Sequence, residues 1–168
     1  GIHLLHLEYS VHALQVHPLL ETSELTQKNA ERFLNEGGHI KEIKTEEDIE
    51  FPESGLILDG LFGTGFKGEV KDPYAFVINA ANDSGLIIIG IDIPSGLNGE
   101  TGEASTPTIV ATQTATLGLP KTGFFLRDGW DHVGSLQFID FGLPAEYIEE
   151  IEPDFELLTA DMLIPLMP

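Results

Sequence analysis

The sequence contains no cysteine, which excludes disulfides, thiol catalysis and thiolate metal sites. That usage agrees with a reducing cytoplasm, the expected location. Basic side chains are scarce: 8 Lys and Arg stand against 28 Asp and Glu, for a net charge of −20. Neutralising nucleic-acid phosphates takes clustered Lys and Arg, so DNA and RNA are not expected partners. An anionic membrane surface would repel the chain as well. No apolar run approaches the roughly 20 residues of a membrane span, and no basic-then-apolar signal peptide opens the sequence. A starting Met is also missing. Gly1 is followed at once by Ile2, Leu4, Leu5 and Leu7, which reads as a chain whose natural beginning has been removed.

What is present suffices for one core: 168 residues, 42 % of them apolar. Short β-rich runs alternate with longer segments, the pattern of an α/β protein. Val11 to Val16 predicts a strand ended by Pro18. Thr22 or Ser23 caps a helix running to about Glu36, and Gly37-Gly38 ends it. Ile40 to Ile43 predicts another strand, and the acidic stretch from Lys44 to Glu53 a surface connection. Gly55 to Asp59 reads as a strand buried on both faces. Asp72-Pro73 supplies an N-cap and a first-turn proline for a helix through Tyr74, Val77, Ile78 and Ala81, closed by Gly85. Leu86 to Asp92, Ala111 to Leu117 and Ser135 to Phe141 complete the strands. The expected fold is α/β, a Rossmann-like three-layer arrangement around a central, mainly parallel sheet. The acidic runs at 42–53 and 146–156 read as solvated surface.

Ligands of open parallel sheets bind beyond the carboxyl ends of the strands. Two segments put suitable groups there. In the first, Asp59 to Gly68, glycines at 60, 63, 65 and 68 permit positive φ and close backbone approach, so that successive N–H groups can cradle an anion. Thr64 and Lys67 add a hydroxyl and a cation; a plain glycine turn is the alternative. In the second, Asp92 to Gly99, burial at the strand end would raise the pKa of Asp92 and suit it to acid-base work. Ser95 and nearby carbonyls offer oxygen ligands for a hard cation, against the alternative of an Asp that only caps a turn. Ser95 is in no G-x-S-x-G elbow, which weakens a hydrolase reading. His3, His6, His12 and His17 crowd the first strand region without zinc spacing, and His39 and His132 are isolated, so histidine metal sites are not expected.

The run DGLFGTGFKGEV (59–70), then SGLIIIGIDIPSGLNGETGE (84–103), then ATLGLPKTGFF (115–125), resembles the YjeF N-terminal domain family, the NAD(P)H-hydrate epimerases. The likeness covers about residues 1–145. It implies an isomerase that interconverts the R and S forms of NADHX and NADPHX, the hydrated and damaged nicotinamide cofactors. By the same resemblance Asp59 and Ser95 would ligate K⁺, and Gly63, Thr64, Gly65, Phe66, Lys67, Gly68 and Glu69 would bind the substrate. Asp92 would contact the substrate and carry the proton, and Lys121 matches a family Pro-Lys motif. The family's G-N-N-G-G-D-G loop is absent from these residues, and with it a further K⁺ ligand and much of the cofactor contact.

The domain division that follows is an epimerase domain over 1–150, lacking its first part, and a linker over 151–168. The linker would lead to a dehydratase domain using ADP or ATP, and a homodimer or higher homo-oligomer is expected. Domains of this fold also serve as non-catalytic scaffold modules, in mRNA decapping and in an apolipoprotein-binding protein. That is the competing reading, together with an α/β subunit whose pocket is unused.

Overall fold

The computed structural model describes residues 1–144, together with 146, 147, 158, 162 and 164–166. The acidic run at 146–156 and the linker at 151–168 fall largely outside the described residues. Ten regular elements follow one another: α1 (Ile2–His6), β1 (His12–Gln15), α2 (Glu24–Asn35), β2 (His39–Glu42), β3 (Leu56–Asp59), α3 (Tyr74–Asp83), β4 (Ile87–Ile91), β5 (Gln113–Leu117), α4 (Gly129–Val133) and β6 (Ser135–Ile139). All pairs between these described strands are parallel. The strands β3, β4, β5 and β6 pair in that order in one sheet, and β1 pairs β2 in a second. The fold is mixed α/β with parallel sheets, as the alternating pattern predicts.

Local chemistry accounts for most boundaries. Ser23 caps α2 by accepting the N–H of Thr26, and Gly37, at φ 86°, follows its end. The helix α3 starts one residue later than expected: Pro73 occupies the N-cap position and no side chain caps it, so Asp72 does not play that part. Its face of Val77, Ile78 and Ala81 is buried. Burying a side chain of the Val or Ile class contributes about 1.5–3 kcal/mol. Ile78 and Ala81 pack on Ile88 and Ile57 of the sheet, while Val77 packs on Val16 and Ile43 beyond the ends of β1 and β2. A further cluster of Ile93, Leu97, Phe124 and Val133 sits over Leu136 of β6.

Register shows one difference from expectation. Residues paired across a parallel sheet share a face, so Leu56 and Leu58 of β3 lie with Ile87 and Ile89 of β4. The helices α3 and α4 pack on the opposite face, that of Ile57, Ile88 and Leu136. Leu56 is therefore 53 % exposed, and Leu58, Ile87 and Ile91 are exposed beside it. The run Gly55 to Asp59 is not buried on both faces. An apolar run does not tell one covered face from two, since helix placement decides it.

His3 and His6 lie on α1 rather than in a strand, and His12 of β1 stacks on His39 of β2. Among the described residues no three His, Asp or Glu side chains gather as a metal site. No described helix is long and apolar enough to cross a membrane.

Candidate functional site at the strand ends

Because β3, β4 and β5 run parallel and side by side, their carboxyl ends bring Asp59, Asp92 and Leu117 to one rim of the sheet. The two segments singled out in the sequence meet there through Asp59. Asp59 as a whole is only 3 % exposed. Oδ2 accepts the backbone N–H of Ser95 at 2.7 Å, and Oδ1 accepts the Ser95 hydroxyl at 2.6 Å. The N–H of Leu61 adds a longer bond at 3.3 Å. Burial pushes the Asp59 carboxyl above the ordinary aspartate value, against the lowering effect of these bonds. Ser95 in turn accepts the N–H of Phe62 at 2.9 Å. One hydroxyl thus links the strand-end acid, the glycine-rich loop and the turn after β4.

The glycine-rich loop differs from expectation in its conformation. Only Gly68, at φ 100°, uses the left-handed region, whereas Gly60, Gly63 and Gly65 do not. What glycine supplies at 63 and 65 is open space, since a β-carbon there would meet nothing within 4 Å. Among the described residues the N–H groups of Gly63, Thr64 and Gly65 make no internal hydrogen bond. Phe66 stacks on Phe62, which packs on Tyr74, so aromatic contacts anchor the loop to α3. Lys67 is paired with Glu100 at 3.2 Å, both exposed. Thr64 lines an open cleft of about 470 Å³ with Ile93, Glu100 and Lys121. Phe66, Gly68 and Glu69 face a separate hollow of about 620 Å³, beside Glu103 and Asp128. The loop residues predicted to bind one ligand are therefore divided between two depressions.

Asp92 has the least ordinary backbone at the rim. Its φ is 69°, and the N–H of Ile93 reaches back to the carbonyl of Ile91 at 2.9 Å, closing a three-residue turn centred on Asp92. Such positive-φ γ-turns are rare and strained, and strain of this kind gathers at functional sites. The side chain crosses to the next strand. Its Oδ1 accepts the N–H of Leu117 at 3.1 Å and lies 2.8 Å from Lys121 Nζ. Oδ2 accepts no hydrogen bond among the described residues, and since no described side-chain oxygen is both fully buried and without a partner, this oxygen keeps some contact with solvent. Sequence spacing did not reveal the Asp92–Lys121 pair. The Pro-Lys motif after β5 was its only signal.

Comparison with known proteins gives this rim a family. The profile described as "YjeF-related protein N-terminus" matches residues 1–123. The chain belongs to that family. A protein of Rhodopirellula baltica named NAD(P)H-hydrate epimerase is 34 % identical over 149 residues, covering 86 % of this chain and 61 % of that protein. A bifunctional NAD(P)H-hydrate repair enzyme of Moorella thermoacetica is 38 % identical over 113 residues, covering 67 % of this chain and 21 % of that protein. The chain thus spans about three fifths of the first relative and about a fifth of the second. The crystal structure of the yeast protein ynu0 shares the fold of this YjeF-related chain. The TM-score is 0.71 at 18 % identity, covering 96 % of this chain and 68 % of that one.

Proposed function

We propose that the protein is an NAD(P)H-hydrate epimerase acting on R- and S-NADHX and NADPHX. The observation that carries this reading is Asp92, an acid held in a strained turn with one carboxylate oxygen open, beside a cleft and a loop of unused N–H groups. The names of the family relatives supply the substrate class.

The chemistry suits these groups. C6 of the hydrated ring bears a hydroxyl and is bonded to the ring nitrogen. The nitrogen lone pair forms a C=N bond as the C6–O bond breaks, and the oxygen takes a proton and leaves as water. Water then adds to the opposite face of the iminium and gives up a proton. Asp92 donates the first proton and takes back the second through Oδ2, with no net change. Its carboxylate form also stands opposite the positive iminium.

Gly63, Thr64 and Gly65 would receive the dinucleotide phosphates on their N–H groups, a backbone anion site that needs no basic patch. Lys67 belongs to the same substrate-binding loop, with Phe66, Gly68 and Glu69 completing it. Its exposed pair with Glu100 is of a kind that contributes only about 0–1 kcal/mol, so the ammonium can exchange Glu100 for a phosphate at little cost.

Asp59 and Ser95 would hold K⁺. The donor set fits chemically: it is oxygen-only, buried and anionic, and a bound cation would neutralise a desolvated carboxylate. Such a large cation polarises its ligands weakly and would supply chiefly fixed geometry between the glycine loop and the turn after β4. Fusion to an ADP- or ATP-dependent dehydratase, a homodimer and a cytoplasmic location belong to the same proposal.

The test is conversion of R-NADHX to the S form by the intact protein, followed by chromatography with and without K⁺ against the spontaneous rate. Acceleration is expected. A rate equal to the baseline would leave the scaffold reading instead.

A further inference from the structure

Lys121 follows β5 by four residues and precedes the 3₁₀ turn Thr122–Phe125. Its ammonium lies 2.8 Å from Asp92 Oδ1, 3.1 Å from the carbonyl oxygens of both Leu117 and Leu119, and 3.4 Å from the Thr116 hydroxyl. Its three N–H donors are matched by the hydrogen bonds to Thr116, Leu117 and Leu119, and Asp92 is held beside them as an ion pair. The Lys121 side chain is 19 % exposed and that of Asp92 17 %, unlike the other ion pairs among the described residues, which lie at the surface. Fixing a lysine side chain costs about 1.5–2 kcal/mol of rotamer entropy, and here several contacts offset that cost together.

The consequence for Asp92 is directional. The Leu117 N–H donates to Oδ1, Lys121 Nζ stands 2.8 Å from the same oxygen as an ion pair, and no hydrogen bond reaches Oδ2 among the described residues. The Leu117 N–H of β5 and the Lys121 ammonium beyond it therefore set the orientation of the carboxylate, and they leave its other oxygen without a hydrogen bond among the described residues. The backbone beneath is held as well, by the turn closed between Ile91 and Ile93. Main chain and side chain are constrained independently, which is what a precisely placed proton carrier requires, because misplacement by about 1 Å can cost a hundredfold in rate.

We propose that Lys121 is a positioning residue for epimerisation: with the Leu117 N–H it holds Asp92 by Oδ1, so that Oδ2 is the oxygen that meets the substrate. The inference rests on the reading of Asp92 given above. The competing role is a structural one, in which Lys121 only ties down the chain after β5 through the Leu117 and Leu119 carbonyls. The two roles differ in whether the effect of Lys121 runs through Asp92.

The experiment uses the intact protein as wild type, Lys121→Met, Lys121→Arg, Asp92→Asn and the Asp92→Asn/Lys121→Met double variant. Given wild-type acceleration, Lys121→Met should lower kcat by about tenfold or more with KM changed by less than about twofold. Lys121→Arg should recover part of the loss. The double variant should be no slower than Asp92→Asn within about twofold, because nothing remains to be positioned. Unchanged kcat in Lys121→Met, or losses that multiply in the double variant, would overturn the proposal. Should wild type show no acceleration, the functional reading fails separately, and crystal structures of wild type and Lys121→Met still decide the geometry. One Asp92 orientation in wild type and a released or divided carboxylate in the variant supports the positioning role; the same single orientation in both overturns it. Lys121→Gln replaces the Met variant if the latter does not fold.

Discussion

Ser95 gives both its backbone N–H and its hydroxyl to the carboxylate of Asp59, at 2.7 and 2.6 Å, and so joins the ends of β3 and β4 beneath the glycine-rich loop. The Phe62 N–H closes the linkage on the loop side. A single small residue therefore carries three of the bonds between the two candidate segments, two through its hydroxyl and one through its backbone N–H.

Ser95→Ala removes the hydroxyl from a buried carboxylate and leaves the Phe62 N–H without its acceptor. Hydrogen bonds to charged groups contribute about 1.5–3 kcal/mol, so urea denaturation should show a loss of about 2 kcal/mol. If Asp59 and Ser95 bind K⁺, the variant should also lose the stabilisation that added KCl gives the wild type. Equal KCl responses in the two proteins would remove Ser95 from the cation site.

Asp92→Asn should preserve stability, since Asn is among the few residues that tolerate a φ near 69° and keeps an oxygen for the Leu117 N–H. Acid-base groups contribute about 10²–10⁴ in rate, so epimerisation should fall by at least about a hundredfold with the fold unchanged by circular dichroism. A wild-type rate in this variant would take Asp92 out of the mechanism.

Two glycines of the site separate space for a ligand from space needed by the fold. Gly63→Ala meets nothing within 4 Å and should leave the unfolding midpoint unchanged while raising KM for NADHX. Gly96 sits at φ 100° with the Thr108 backbone and the Pro107 carbonyl within about 3 Å of where a β-carbon would stand. Gly96→Ala should destabilise by about 1–3 kcal/mol, the cost of a residue held in a disfavoured backbone region. Thermal melts with parallel kinetics test both.

Asp48 offers a pH test away from the site. The N–H groups of Lys44 and Thr45 donate to its carboxylate and hold its pKa below 3.8. The native state then binds fewer protons than the unfolded state between the two values. The contribution to stability is present above 3.8 and fades as pH falls through the lowered native value. Amide exchange at Lys44 and Thr45 should accelerate on acidification in wild type, relative to the base-catalysed trend, and not in Asp48→Ala.

Much of the site was legible because it lies where strand logic puts it. GLILD and LIIIGID each end on an acid, and parallel strands with crossovers must bring such ends to one rim; Asp59, Ser95 and Asp92 follow from that rule. The glycine spacing at 60–68 marked the loop correctly but for a partly mistaken reason, since Gly63 and Gly65 provide room rather than positive φ. Lys67 read as a cation of the loop, and the structure pairs it with Glu100, a contact between loops that no local pattern encodes.

By itself the sequence determined composition-level exclusions, the order of the six strands with α2 and α3 but not α1 or α4, most of their boundaries and the acids at the strand ends. These depend on side-chain chemistry within a few residues of one another. Tertiary structure alone decided which oxygen of Asp92 accepts the Leu117 N–H, that Lys121 pairs with Asp92, and that among the described residues no helix covers the sheet face carrying Leu56 and Ile87. Each of these depends on the packing of segments far apart in the chain, where burial and pairing energies act and local preference is silent.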